Sequence, residues 1–275
     1  MDQSRGLEYW VSLLTRADLP VLKQTARELA ELRNDDKKLN AHVIAEVISR
    51  DPIMTVKLLR YLQQHKKRIQ TAEVVQVEQA LLMLGVEPFY NNVSPKVIAQ
   101  EILGKQIVAL TSLLQVVHRA HRASEYAKDW AVRLHDLRFE EVRIAALLHN
   151  IAEILMWCFA PEQMMQIRDM QQKDSTLRSQ TAQESVFGFG LSELQKTLVE
   201  NWGLPNLLLT LIHDTNSKQS RVRNVLLAVR LARHSAHGWN NAALPDDFTD
   251  IGDLLHIPPQ QVMDLFAAEA FAKKH

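Results

Sequence analysis

His149 occupies the most chemically suggestive place in the chain, inside the segment RFEEVRIAALLHNIAEILMW. On a helix Val142, Ala145, Ala146, His149 and Ala152 share one face, so the imidazole turns inward with an apolar stripe. An inward imidazole needs a partner, which is either a hydrogen-bonding neighbour, the ordinary state of a core histidine, or a metal ion. Glu153, four residues after His149, could add a carboxylate to the same pocket, although a charge beside a core stripe more often lies at an interface or the surface. Two His-Asp dipeptides also occur. His135-Asp136 sits in a polar turn, whereas His213-Asp214 follows the apolar run Leu207 to Ile212 near a helix end, where a histidine complements the helix dipole. His234 and His237, at i and i+3, could grip a metal from one helix face. No third ligand is evident beside them, and solvated histidines at a helix end are the plainer reading.

A different chemistry is open to the arginines. Arg119, His121 and Arg122 on one helix, with Arg223, Arg230 and Arg233 on another, could line a pocket for a nucleotide or similar anion, because guanidinium groups hold phosphate bidentately. Solvated arginines are the default alternative. GxSxG, GxxxxGK[ST], GxGxxG after a strand and CxxC are all absent, so serine-nucleophile, kinase and dinucleotide chemistry drop out.

The elements that must position these residues are helices. Only 8 glycines occur in 275 residues, and valines fall at helical spacing rather than in alternation. In NAHVIAEVISRDP, Val43, Ile44, Val47 and Ile48 build one stripe. Asp51 and Pro52 close that helix and open the next as N-cap and first residue, ahead of Ile53, Val56, Leu59 and Leu62. Helical patterns continue through Val21 to Leu32, Val77 to Leu84, Ile107 to Val132, Glu140 to Phe159, Leu194 to Trp202 and Val222 to His237. Prolines, asparagines and glycines punctuate Gly85 to Gly104, which places a subdomain boundary there: an N-terminal helical part over 1–103 and a second over 104–275. Near the end, IPPQQVMDLFAAEAF reads as a capping helix with Val262, Phe266 and Ala270 on one face, and the last residues, AKKH, are expected to fray.

The 32 basic and 32 acidic side chains cancel, so no global field draws the chain to nucleic acid or anionic lipid, and neither is expected as a partner. Cys158, the single cysteine, lies in the apolar run ILMWCFAP and reads as a core thiol in a reducing compartment. The start lacks an apolar signal region, and no stretch approaches the roughly 20 uncharged apolar residues of a membrane span. A cytoplasmic location is expected.

From about Leu19 onward the ordered segments resemble the HDOD domain, the bacterial signalling relative of the HD metal phosphohydrolases. The resemblance rests on DLPVLKQTARELAEL, AHVIAEVISRDPIMTVKLLRYLQQ and VEQALLMLGVEPF, followed by HRASEYAKDWA, EEVRIAALLHNIAEIL and ESVFGFGLSELQKTLVENWGLP. It implies an all-α fold, a multi-helical HD-like bundle preceded by an N-terminal helical subdomain.

Catalytic HD enzymes hold divalent metal with a His, a His-Asp pair and a distant Asp, and the carboxylates supply charge that one imidazole cannot. Carried onto this chain, the pair becomes His149-Asn150, with a neutral amide in place of the carboxylate. In register with Trp202-Gly203-Leu204-Pro205, Ser192 replaces a common His, Thr215 and Asn216 replace a His-His pair, and the distant Asp falls near Val229. His118 and His121 lie close to the first ligand position without clear register, and Gln63-Gln64 replaces a family Asn-Ser pair. The resemblance with its missing ligands implies a non-catalytic regulatory module, without metal or cofactor, that acts on protein partners of a bacterial signalling pathway. Two alternatives remain open. One is a nucleotide sensor, and the other is a phosphohydrolase with a rearranged site built from His149, His118 or His121, and Glu153 or Asp214.

Overall fold

The computed structural model describes residues 5–35, 39–65, 74–174, 176–213 and 218–272. Its regular elements are helices, with a single isolated parallel bridge, Val21 to Ile98, among the described residues. In chain order they are α1 (Leu7–Arg16), α2 (Lys23–Arg33), α3 (Ala41–Ile48), α4 (Pro52–Gln64), α5 (Val77–Leu84), α6 (Val86–Asn92), α7 (Ala99–Leu103), α8 (Ile107–Arg133) and α9 (Phe139–Leu148). There follow α10 (Ile151–Phe159), α11 (Pro161–Lys173), α12 (Ser179–Phe187), α13 (Leu191–Asn201), α14 (Asn206–His213), α15 (Ser220–His234), α16 (Leu244–Leu255) and α17 (Pro259–Ala272). The fold is all-α, as the periodicity and the resemblance imply. Residues 273–275, within the tail expected to fray, lie outside the described residues.

Packing divides the chain into two compact units, Met1–Val117 with Asn150–Leu209, and His118–His149 with Thr210–His275. That division differs from the expected one at 103/104. The punctuated stretch serves short helices of the first unit instead of ending it. The amide of Val21 donates to Val97 O (3.0 Å), the amide of Ala99 to Val21 O (2.9 Å), and the Tyr90 hydroxyl to Leu29 O (3.0 Å). Prolines and glycines here end helices that pack back on their own unit.

In the first unit α4 is enclosed on all sides. Every side chain from Pro52 to Leu59 is buried, and its neighbours include α3, α5 and α10. A helix so placed must satisfy each polar group internally. Asp51, 1% exposed, caps it as expected: its carboxylate accepts the amides of Ile53 (2.8 Å) and Met54 (3.1 Å) and reaches across to the amide of Leu22 ahead of α2 (3.0 Å). The Thr55 hydroxyl donates to Ile48 O at 2.9 Å. Lys57, nearly buried, pairs with Asp18. The Arg60 guanidinium donates to Leu14 O (3.2 Å), Thr15 O (3.4 Å) and Ala17 O (3.0 Å), taking up carbonyls that the end of α1 leaves without helical partners.

The second unit centres on α15, which packs against α9 and α16, with α17 on α16. Val262 and Phe266 of α17 are buried, as the capping-helix reading expects, and Phe266 stacks with Trp239 and Phe248. The side chain of Ala270 lies outside the described set.

Phe139–Phe159 is long and apolar enough for a membrane span by length and composition, against the expectation that no stretch would be. In the structure 72% of its most apolar window is buried, and the segment is broken into α9 and α10. Burial of that extent is what core helices require.

Two predictions follow from the core of the first unit. Burial pushes the Asp51 carboxyl above its ordinary 3.8, against the pull of its hydrogen bonds. Asp51→Ala strands several amides and is expected to cost about 3 kcal/mol in urea unfolding. In Asp51→Asn the site cannot titrate. The folded parent holds its proton more tightly than the unfolded chain does, so its stability relative to Asp51→Asn is greatest at low pH and falls as pH rises from 3.8 through the raised folded value. Urea midpoints of the two proteins from about pH 4 to 7 test this, and a flat difference would contradict it. Burial, reinforced by the Asp51 charge, pushes the Cys158 thiol up to about 12. Folded protein should therefore leave a disulfide reagent unreacted at about pH 8, whereas unfolded protein should titrate one thiol per chain.

Candidate functional site

The pair His149-Asn150 forms the turn between α9 and α10. His149 closes α9 in helical conformation (φ −56°, ψ −29°), and Asn150 leaves it (φ −117°, ψ 29°) before α10 begins. The single helix expected over Glu140 to Phe159 is thus two, and the stripe expected to carry His149 inward ends one residue short. Val142, Ala145, Ala146 and Ala152 are buried, whereas His149, Asn150 and Glu153 are half-buried. His149 is not a core residue.

The start of α10 is held by a residue the sequence reading passed over. Gln195 of α13, 4% exposed, accepts the buried amide of Ala152 through Oε1 at 3.2 Å. That amide lies in the first turn of α10, which offers it no carbonyl of its own helix. Gln195 sits among Leu191, Leu194, Leu198, Val199 and Trp202 on the apolar face of α13, so a lone amide in that stripe was the available signal. The landmark after α13 closes with Gly203 at φ +65°, where the amide of Leu204 returns to Val199 O (3.1 Å) and that of Gly203 to Glu200 O (3.0 Å). Glycine tolerates that left-handed turn without strain.

The other expected positions differ in exposure. His118 is exposed, His121 half-buried, Ser192 exposed and Val229 half-buried. His118, His121, Arg122 and His149 belong to the second unit, and Asn150 and Glu153 to the first. His213 is the last residue of α14, while Asp214, Thr215 and Asn216 lie outside the described residues. Among the described residues, no three His, Cys, Asp or Glu side chains gather as a metal-binding group.

Of the two dipeptides, His135-Asp136 is a structural turn. His135 is exposed at φ +56°, and Asp136 accepts Arg221 Nε (2.8 Å) and the amide of Arg138 (2.9 Å). Arg221 also donates to Arg138 O (2.9 Å) and Glu141 Oε2 (2.6 Å), which fixes the entry to α9.

Arg122, Arg223 and Arg230, read from the sequence as part of an anion pocket, are drawn into the protein's own contacts. Arg122 donates to Ser235 O (3.4 Å) and to the Tyr126 hydroxyl, and its guanidinium lies 5.4 Å from the Tyr126 ring and 5.8 Å from that of Trp239. Arg230 pairs with Asp247 (2.6 Å) and with Asp250, and Arg223 donates to Asp250 O (3.1 Å). Asp247 is 1% exposed and also meets His234 Nδ1 at 2.6 Å. His234 is therefore not a solvated histidine, although His237 is exposed. The physical reason is the carboxylate. Buried Asp247 requires positively charged or donating partners, and α15 presents Arg230 and His234 to it. The acids at the start of α16 after Pro245 were legible as a helix opening, but not as the partners of α15.

An all-helical chain with helices joined by short turns defines the class. The sequence profile of the HDOD domain matches residues 19–217, and the chain belongs to the HDOD family. Among solved structures, the MmoQ response regulator of Methylococcus capsulatus is similar with a TM-score of 0.66 at 17% identity, covering 92% of this chain and 99% of that one. A virulence factor of Campylobacter jejuni is similar with a TM-score of 0.65 at 18% identity, covering 92% and 90%. These likenesses establish the fold. No curated protein matches the chain in sequence.

Gln195→Met keeps the volume and removes the acceptor, leaving the Ala152 amide buried without it. We expect a loss of about 1–2 kcal/mol, read as a lower thermal midpoint with unchanged helix content, and faster hydrogen exchange at Ala152. An unchanged midpoint would show that the bond contributes nothing.

Proposed function

We propose that this chain is a non-catalytic HDOD-type regulatory module of a bacterial, cytoplasmic signalling pathway, acting through contacts with protein partners. The observation that carries the reading is the treatment of the HD-like position. Its acid is the neutral Asn150, its histidine is a half-buried helix end, and the adjoining amide is bound by Gln195. A hydrolytic site needs several anionic or imidazole ligands in one place to hold a cation and lower the pKa of water. The similar MmoQ structure is described as a response regulator, which supports a signalling role.

The nucleotide-sensor alternative has less support. Arg230 already faces two carboxylates, so an incoming phosphate would meet negative charge before it met the guanidinium. The internal contacts of Arg122 would likewise have to break.

The test combines metal analysis with turnover. Purified chain should carry Mn, Fe, Ni and Zn far below one ion per molecule, and it should leave bis-p-nitrophenyl phosphate and cyclic dinucleotides intact with each metal added. His149→Ala should remain folded and still retain the proteins that the parent captures from extracts of its own cells. Stoichiometric metal together with phosphodiester turnover lost in His149→Ala would overturn the proposal.

A further inference from the structure

Within the first unit, α1 is seated differently from the helices around it. It packs chiefly on α13, and of its ten residues only Trp10 and Leu14 are buried, whereas every side chain of α4 from Pro52 to Leu59 is. The Trp10 ring meets Phe187 of α12 edge-on, with centroids 6.1 Å apart. The other end of α1 is held by Arg60, whose guanidinium takes the carbonyls of Leu14, Thr15 and Ala17 and lies 6.0 Å from the Trp202 ring. α1 thus rests in a groove walled by α13 and Phe187, with Arg60 at its end.

Two polar atoms of α1 go unanswered in this seat. Trp10 Nε1 and Thr15 Oγ1 are buried and neither is hydrogen-bonded. Both regain water when α1 swings away, which offsets part of the apolar burial then lost. Burial also lowers the pKa of the Arg60 guanidinium, so the cation that holds α1 is itself partly desolvated. The chain beyond α1 is fixed by other contacts. Ala17 leaves the helix in extended conformation (φ −61°, ψ 144°), Asp18 pairs with Lys57, Leu19 and Val21 are fully buried, and the amide of Leu22 is held by Asp51. Rotation at Ala17 moves α1 and leaves these contacts in place. α1 also lies ahead of residues 19–217, the region matched to the family. Elements held by few buried side chains open at a lower free energy than the whole unit unfolds.

We propose that α1 is a separable strap, hinged at Ala17, which opens well before the first unit unfolds and bares a groove shaped for a helix with an aromatic residue four positions ahead of a leucine. The carbonyls ending such a helix answer Arg60, as those of α1 do when the strap is closed. The strap stands whether or not the chain captures partner proteins.

Hydrogen exchange of the full chain in low urea tests the opening without any substitution. Amides of α1 should exchange through an opening that depends little on urea, whereas those of α4 exchange only with global unfolding. Arg60→Met should quicken exchange in α1 by about tenfold or more and leave α10 within about twofold of the parent. The groove is probed with a labelled peptide of residues 6–17, GLEYWVSLLTRA, followed by fluorescence anisotropy. Trp10→Ala in the full chain weakens the closed state, so the peptide should bind that variant about tenfold or more tighter than it binds the parent. Adding Arg60→Met to that variant should weaken the peptide by about tenfold, because the carbonyls at its end lose their cation. Circular dichroism checks that each variant is folded, and Leu14→Ala takes the place of Trp10→Ala if the latter is not. A common opening for α1 and α4, no peptide binding by the opened variant, equal affinity for variant and parent, or no effect of Arg60→Met on exchange in α1 each overturns the proposal.

Discussion

A carboxylate taken out of water must find donors, and the placement of Asp51 imposes that condition on the first unit. Its oxygens hold the opening amides of α4 and the amide of Leu22 ahead of α2, so one side chain caps one helix and anchors the approach to another. α4 can then be enclosed on all sides, because its remaining polar groups are answered in turn by Asp18, Ile48 O and the carbonyls ending α1. Cys158 lies within electrostatic reach of the same carboxylate. The arrangement is costly to break at one point, since removing a single partner leaves the others buried and unsatisfied.

The second unit follows the same logic with charge pairs. Arg221 binds the turn before α9 through Asp136, Glu141 and Arg138 O, and Asp247 binds α15 to α16 through Arg230 and His234. Each pairing consumes a group that could otherwise serve a ligand. The electrical neutrality of the chain is in these places a neutrality of neighbours, which leaves few strong local fields.

The turn between α9 and α10 is secured by a contact distant in sequence. Asn150 places a neutral amide at the turn between α9 and α10, and the amide of Ala152 in α10 is satisfied by Gln195. Val142, Ala145, Ala146, Ile151, Ala152 and Leu155 are buried whatever the chemistry of the turn between them.

Much was determined by the sequence alone. Helical spacing of valines and leucines, the Asp51-Pro52 junction and the apolar surroundings of Cys158 depend on neighbours within a turn or two, and local interactions decide them. The neutral amide at Asn150 was equally legible, because it is a matter of residue type. Only the tertiary structure decided that α9 and α10 part at His149-Asn150, that Gly85 to Gly104 lies within a unit rather than between units, and that His234 serves Asp247. It alone decided, too, that Ala152 is answered by Gln195, 43 residues away in sequence. These outcomes turn on which distant donor meets which buried acceptor. A local pattern can show that a group needs a partner, but the fold chooses which one it gets.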